Sequence, residues 1–122
     1  MIKKKIYVCF DFENDRALKN EIVAQSQKDD APFKISNWSA KEDAQNPNWV
    51  KDAKYRITRC DMLVVLTGEN SHQAPGVLKE IKVATDAKIK IVQLLSHPQS
   101  KVIEAAGKGH DWTWENIMTL LG

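Results

Sequence analysis

Short apolar runs alternate along this chain with stretches whose apolar residues recur every three or four positions. Ile6-Tyr7-Val8-Cys9-Phe10 is a β-branched and aromatic run of strand length. Asn14 is placed to cap a helix over residues 15–28, with Leu18 and Ile22 four apart on one face. Asp29-Asp30-Ala31-Pro32 breaks that helix, and Phe33-Lys34-Ile35-Ser36 alternates as a half-exposed edge strand does. A polar loop over 37–46 follows, and within it Ser39 and Glu42 have the spacing of a reciprocal helix cap. Asn46-Pro47 then reads as a cap and a first-turn proline, opening a helix with Val50, Ala53, Ile57 and Cys60 on one side. Met62-Leu63-Val64-Val65-Leu66 is apolar throughout, as a central parallel strand covered on both faces must be. Pro75 opens a helix whose inner side is expected to be Val77, Leu78, Ile81, Ala84 and Thr85. Residues 89–95 form a fourth strand, 98–107 a short helix, and His110-Asp111-Trp112 a small fifth strand. Trp114, Ile117, Met118 and Leu121 mark a terminal helix.

This alternation predicts one α/β domain over residues 1–122. It is a flavodoxin-like three-layer fold, with a parallel sheet of four to five strands and helices on both faces. Strand order 2-1-3-4-5 agrees with the alternating second strand at an edge and the wholly apolar third near the middle.

Composition narrows the possibilities. The 122 residues are 43% hydrophobic and include four Trp, which excludes a disordered chain. Eighteen basic against sixteen acidic residues give a net charge of +2, too balanced for a nucleic-acid or membrane footprint. No apolar run approaches the ~20 residues of a membrane span, and the opening lysines lead into a strand and not into a signal peptide, so a cytoplasmic location is expected. Cys9 and Cys60 both read as buried hydrophobes, and His72, His97 and His110 lack paired ligand spacing. Neither a disulfide, a metal nor a resident cofactor is expected.

In open sheets of this kind ligands bind beyond the carboxyl ends of the strands, where the strand order reverses. The loops 11–14, 37–46, 67–74 and 96–98 meet there, carrying Asp11, Glu13, Asn14, Asn37, Trp38, Ser39, Ser71, His72 and His97. Several chemistries fail at this rim. Phe10-Asp11-Phe12-Glu13-Asn14-Asp15 has no glycine and carries carboxylates where a dinucleotide or FMN phosphate loop would lie. Thr67-Gly68 and Ser96-His97 replace the Asp and Lys that a phosphate-receiving regulator needs, and no G-x-S-x-G elbow occurs. One carboxylate stands out. Glu80 borders the apolar stripe of its helix, and its i±3 and i±4 neighbours are Val77, Val83, Gly76 and Ala84, none of them a cation.

Val8-Cys9-Phe10-Asp11-Phe12-Glu13-Asn14-Asp15-Arg16 is similar to the opening of TIR-like proteins. It most resembles the small TIR-like subunit of the Thoeris antiphage defence system. The likeness continues in order through Trp49, Ile57 to Cys60-Asp61, Leu63 to Gly68, Pro75 to Ile81, and Trp112 to Ile117. The small-residue lead that usually precedes the family's glutamate is missing. The resemblance implies a TIR-like fold and an enzyme that consumes NAD as substrate, cleaving the nicotinamide–ribose bond. The product would be an ADP-ribose-derived signal, cyclic in some cases, read by a separate effector protein. It further implies a homo-oligomer when active, Glu80 as the catalytic glutamate, and Phe10, Asp11, Asn37, Trp38, Ser39 and Trp49 around the nucleotide.

The chemistry is coherent with few groups. Nicotinamide leaves NAD neutral, so no general acid is needed, and one carboxylate can stabilise a ribose of oxocarbenium character. Trp38 or Phe10 would stack on a ring, and Asp11 or His72 would orient the ribose. Two alternatives stand beside this reading: a non-catalytic TIR-like module that signals by self-association, and a nucleoside deoxyribosyltransferase-like enzyme.

Overall fold

A computed structural model describes residues 3–40 and 47–122. Five parallel strands form one sheet in the order β2-β1-β3-β4-β5. These are β1 (Lys4–Cys9), β2 (Phe33–Trp38), β3 (Met62–Thr67), β4 (Lys90–Leu95) and β5 (Gly109–Asp111). The helices are α1 (Arg16–Ser26), α2 (Trp49–Ile57), α3 (Pro75–Asp86) and α4 (Trp114–Leu120). The expected flavodoxin-like, TIR-like order is therefore observed.

Side-chain alternation along the central strands builds two cores. Ile6, Val8, Val64, Leu66 and Leu94 face one side, where Ile22 of α1 and Ile117 of α4 cover them. Tyr7, Cys9, Leu63 and Val65 face the other, against Ala53 and Ile57 of α2 and Val77, Ile81 and Ala84 of α3. Every residue of β3 is buried, the condition a central parallel strand imposes. This division matters for the site, because it sends the Tyr7 hydroxyl and the Cys9 thiol toward α2 and α3. Both cysteines are free and buried.

Local details depart from the sequence expectations for identifiable reasons. Helix α1 starts at Arg16 with Asp15 at its N-cap, and Asn14 does not cap it. The Asn14 amide instead donates to the Asp11 carboxylate at 2.7 Å, which closes the turn 11–14 on itself. The inner face of α2 is Trp49, Ala53 and Ile57, while Val50 is 45% exposed. Ala53, Ile57 and Cys60 are buried as expected, and only the first position changes, because the larger indole of Trp49 takes the place of Val50. On α3, Leu78 is 40% exposed and Thr85 is also outside, whereas Glu80 and Val83 are buried. Met118 of α4 is exposed as well. The helix expected over 98–107 is only a single tight turn at Glu104–Ala106. The capping pair Ser39 and Glu42, and the cap at Asn46, involve positions outside the described residues.

Helix α3 ends in a left-handed residue. Lys88 has φ 61°, Ile89 N–H donates to Ala84 O at 2.9 Å, and Lys88 N–H donates to Thr85 O at 3.1 Å. That pairing is a Schellman cap, whose left-handed position favours glycine. Lys88→Gly is accordingly expected to stabilise the fold by about 0.5–1 kcal/mol. Urea denaturation checks it, and a lower midpoint would count against the assignment.

Candidate functional site

The carboxyl ends of β1 and β2 and the N-terminal end of α3 enclose a cavity of about 670 Å³. This volume lies in the range of small-molecule sites. One wall is the loop after β1, with Phe10, Phe12 and Asn14. The opposite wall is the stretch from Asn70 through Gln73 to the first turn of α3 at Gly76 and Val77. Ser39 and Ala40, at the end of β2, close the third side.

Ser39 ties this wall together. Its N–H donates to Val8 O at 2.9 Å, and its Oγ accepts from the Phe10 N–H at 3.2 Å. The Ser39 hydroxyl in turn donates to Oε1 of Glu80. The second oxygen, Oε2, accepts from the Tyr7 hydroxyl. Glu80 is 1% exposed and lies behind Ser39, one helical turn beyond Val77, so that the serine separates its carboxylate from the open cavity. An inner-face position is tolerable for a carboxylate only because its oxygens are met by donors.

Burial pushes the Glu80 carboxyl above the usual glutamate range, opposed by hydrogen bonds from Ser39, Tyr7 and Cys9 and by the positive charge of Arg56. Tyr7 is itself raised, first by burial and then by the adjacent Glu80 charge. The Cys9 thiol is raised for the same two reasons. A strongly perturbed, desolvated acid beside a cavity is the electrostatic mark of a functional group.

Of the residues singled out in the sequence, Phe10, Asp11 and Ser39 line the cavity and Glu80 lies directly beneath it. Asp11 lines it with a carboxylate already engaged, accepting from Glu13 N–H at 3.2 Å and from the Asn14 amide. Its main role is to fold the turn. Four expected contacts stand elsewhere. Trp38 is 43% exposed at the edge strand, with the Lys19 ammonium 5.0 Å from its ring centre. The Asn37 side chain accepts from the Trp38 N–H at 2.9 Å. Trp49 is packed as the first buried residue of α2, with the Lys79 ammonium 5.9 Å from its ring. His72 is half-buried outside the cavity lining, and its buried Nδ1 has no hydrogen-bond partner. His97 belongs to a second cavity, of about 410 Å³, beside Asp111 and Trp112. Ser71 has a structural role, since it accepts from Gly68 N–H at 2.9 Å and donates to Asp15 at 3.2 Å.

Sequence reasoning missed Tyr7, Arg56, Asn70 and Gln73. A signal existed for Tyr7, because a tyrosine inside a buried strand needs a partner for its hydroxyl. No signal marked Arg56, which is one of several basic residues on α2.

The model of the family described as Thoeris protein ThsB, TIR-like domain, matches residues 7–101. The chain belongs to that family. The matched segment starts at Tyr7 and contains the cavity, Arg56 and Glu80, leaving β5 and α4 beyond it. It is thus a TIR-like domain of the Thoeris antiphage type. No match was found among curated proteins. Among the described residues no group of side chains could hold a metal ion, and no helix is long and apolar enough to cross a membrane.

Proposed function

We propose that this ThsB-family domain consumes NAD, breaking the nicotinamide–ribose bond with Glu80 as the catalytic carboxylate. The observation that carries this reading is a desolvated carboxylate held by two hydroxyls, one of them that of Ser39 in the wall of a cavity of small-molecule size.

The roles follow from the chemistry. Nicotinamide departs as a neutral base, so the enzyme's task is to stabilise the positive charge left on the ribose. A carboxylate in a water-poor site does this far better than one in solvent. Ser39 donates to Oε1, and a ribose hydroxyl takes its place as donor when the buried Ser39 side chain turns away from Glu80 and from the Phe10 N–H. The partly buried Phe12, backed by the buried Phe10 with centroids 6.1 Å apart, supplies an aromatic side for a ring of the substrate. Among the described residues no basic side chain lines the cavity, and the pyrophosphate is assigned to the α3 N-terminus, where Gly76 and Val77 supply first-turn amides. The ADP-ribose-derived product would act on a separate effector, and activity would accompany self-association.

Purified protein incubated with NAD, across a range of protein concentrations, should release nicotinamide together with an ADP-ribose-derived product by chromatography and mass spectrometry. Concentration-dependent oligomers with no nicotinamide release would overturn the proposal and favour a non-catalytic interaction module.

A further inference from the structure

Neither Tyr7 nor Arg56 is among the residues that line the cavity. Tyr7 is fully buried on β1, and its hydroxyl donates to Oε2 of Glu80. The positive charge of Arg56, on α2, acts on both Tyr7 and Glu80. The Arg56 guanidinium is costly where it lies. Its Nε and Nη2 are shut off from solvent and have no hydrogen-bond partner among the described residues. Leaving such donors unpaired is destabilising, and more so for a charged group. What the position does provide is a cation directed at the Tyr7–Glu80 pair.

We infer that Arg56 and Tyr7 form a positioning pair for Glu80, the Tyr7 hydroxyl anchoring Oε2 so that Oε1 is the oxygen that meets Ser39 in the cavity wall. The inference deepens the NAD-cleaving reading and rests on Glu80 as the acting carboxylate.

The groups facing Glu80 are Tyr7 and Cys9 from β1, Arg56 from α2 and the Ser39 hydroxyl at the end of β2. Burial raises both Tyr7 and Cys9, so both stay neutral through the ordinary pH range. Glu80 is then the member of the cluster that titrates there. Removing either the cation or the phenol hydroxyl takes away support for the charged form and moves Glu80 further up.

The test titrates Glu80 by infrared difference spectroscopy of the full chain in the wild type, Tyr7→Phe, Arg56→Met and Arg56→Lys, with Glu80→Gln assigning the carboxyl band. Nicotinamide release is followed over the same pH range. Tyr7→Phe and Arg56→Met should raise the Glu80 titration midpoint by about one pH unit, about tenfold in the ionised fraction on the acidic limb. The acidic limb of the rate should move with it, and Arg56→Lys should return most of the shift. Tyr7→Phe preserves the ring and its packing, so it reports even where Arg56→Met folds poorly. An unchanged midpoint in Tyr7→Phe and in the folded arginine variants would overturn the positioning pair. A shifted midpoint in a protein that releases no nicotinamide would uphold the pair and refute the NAD reading.

Discussion

Glu80→Gln is expected to abolish nicotinamide release, by about a thousandfold or more, while leaving the protein as stable at pH 7 as the wild type or more so. The two halves have one cause. Glutamine keeps the shape and an acceptor oxygen for the Ser39 donor, but carries no charge to stabilise a ribosyl cation. The same charge is a burden on the resting fold, since burial holds the Glu80 carboxyl above its ordinary value of 4.5. A folded state that binds the proton more tightly than the unfolded chain has its full stability below pH 4.5 and loses it as pH rises through the elevated folded value. Removing the ionisable group removes that loss. Thermal melts at pH 4 and pH 7 should therefore show the variant gaining on the wild type at the higher pH. Such a pattern would mark a group retained for chemistry at the expense of stability. Undiminished NAD cleavage, or a variant much less stable at pH 7, would remove Glu80 from this role.

Much of that argument was visible in the sequence, for reasons that locate what was not. The apolar run Met62–Leu66 suits a doubly covered strand and the alternation at Phe33–Ser36 suits an edge, and both agree with the strand order observed. Glu80 could be singled out because its helical neighbours offered it no cation, a purely local property. Its actual partners were hidden, because they are set by tertiary register: Tyr7 lies 73 residues away and Ser39 41. The helical stripes were misphased for a related reason. Trp49 and Val50 are both apolar and only about 100° apart around the helix, so periodicity over nine residues does not choose between them. Trp38 looked like a stacking platform because aromatic rings near a rim often are. The edge position of β2 places its ring beside Lys19 of α1, apart from the cavity.

The failed helix over 98–107 leads to the second large effect, a loss of roughly 4 kcal/mol of stability in Gln93→Leu. Gln93 is fully buried in β4, and its amide replaces the bonds a helix would have made for itself. Its Oε1 accepts from the Thr67 hydroxyl at 2.9 Å and from Ile103 N–H at 2.8 Å, while Nε2 donates to Ile103 O and Gly107 O, each at 3.0 Å. The segment between β4 and β5 is thus irregular because a side chain satisfies its backbone. Leucine fills similar space but leaves four groups without their partner, each worth about 1–3 kcal/mol when buried and unpaired, less whatever water recovers. The melting temperature should fall by roughly 15 °C or more. Amide exchange should accelerate at Ile103 and its neighbours before the rest of the sheet. The effect should also reach the site, because Thr67 ends β3 immediately before the loop that brings Asn70 and Gln73 to the cavity, and its carbonyl accepts from the Ser96 and Ser100 hydroxyls. Nicotinamide release should therefore weaken in the folded fraction of Gln93→Leu through a raised KM for NAD. A stability change below about 1 kcal/mol in urea denaturation would mean that water, and not this amide, satisfies the segment.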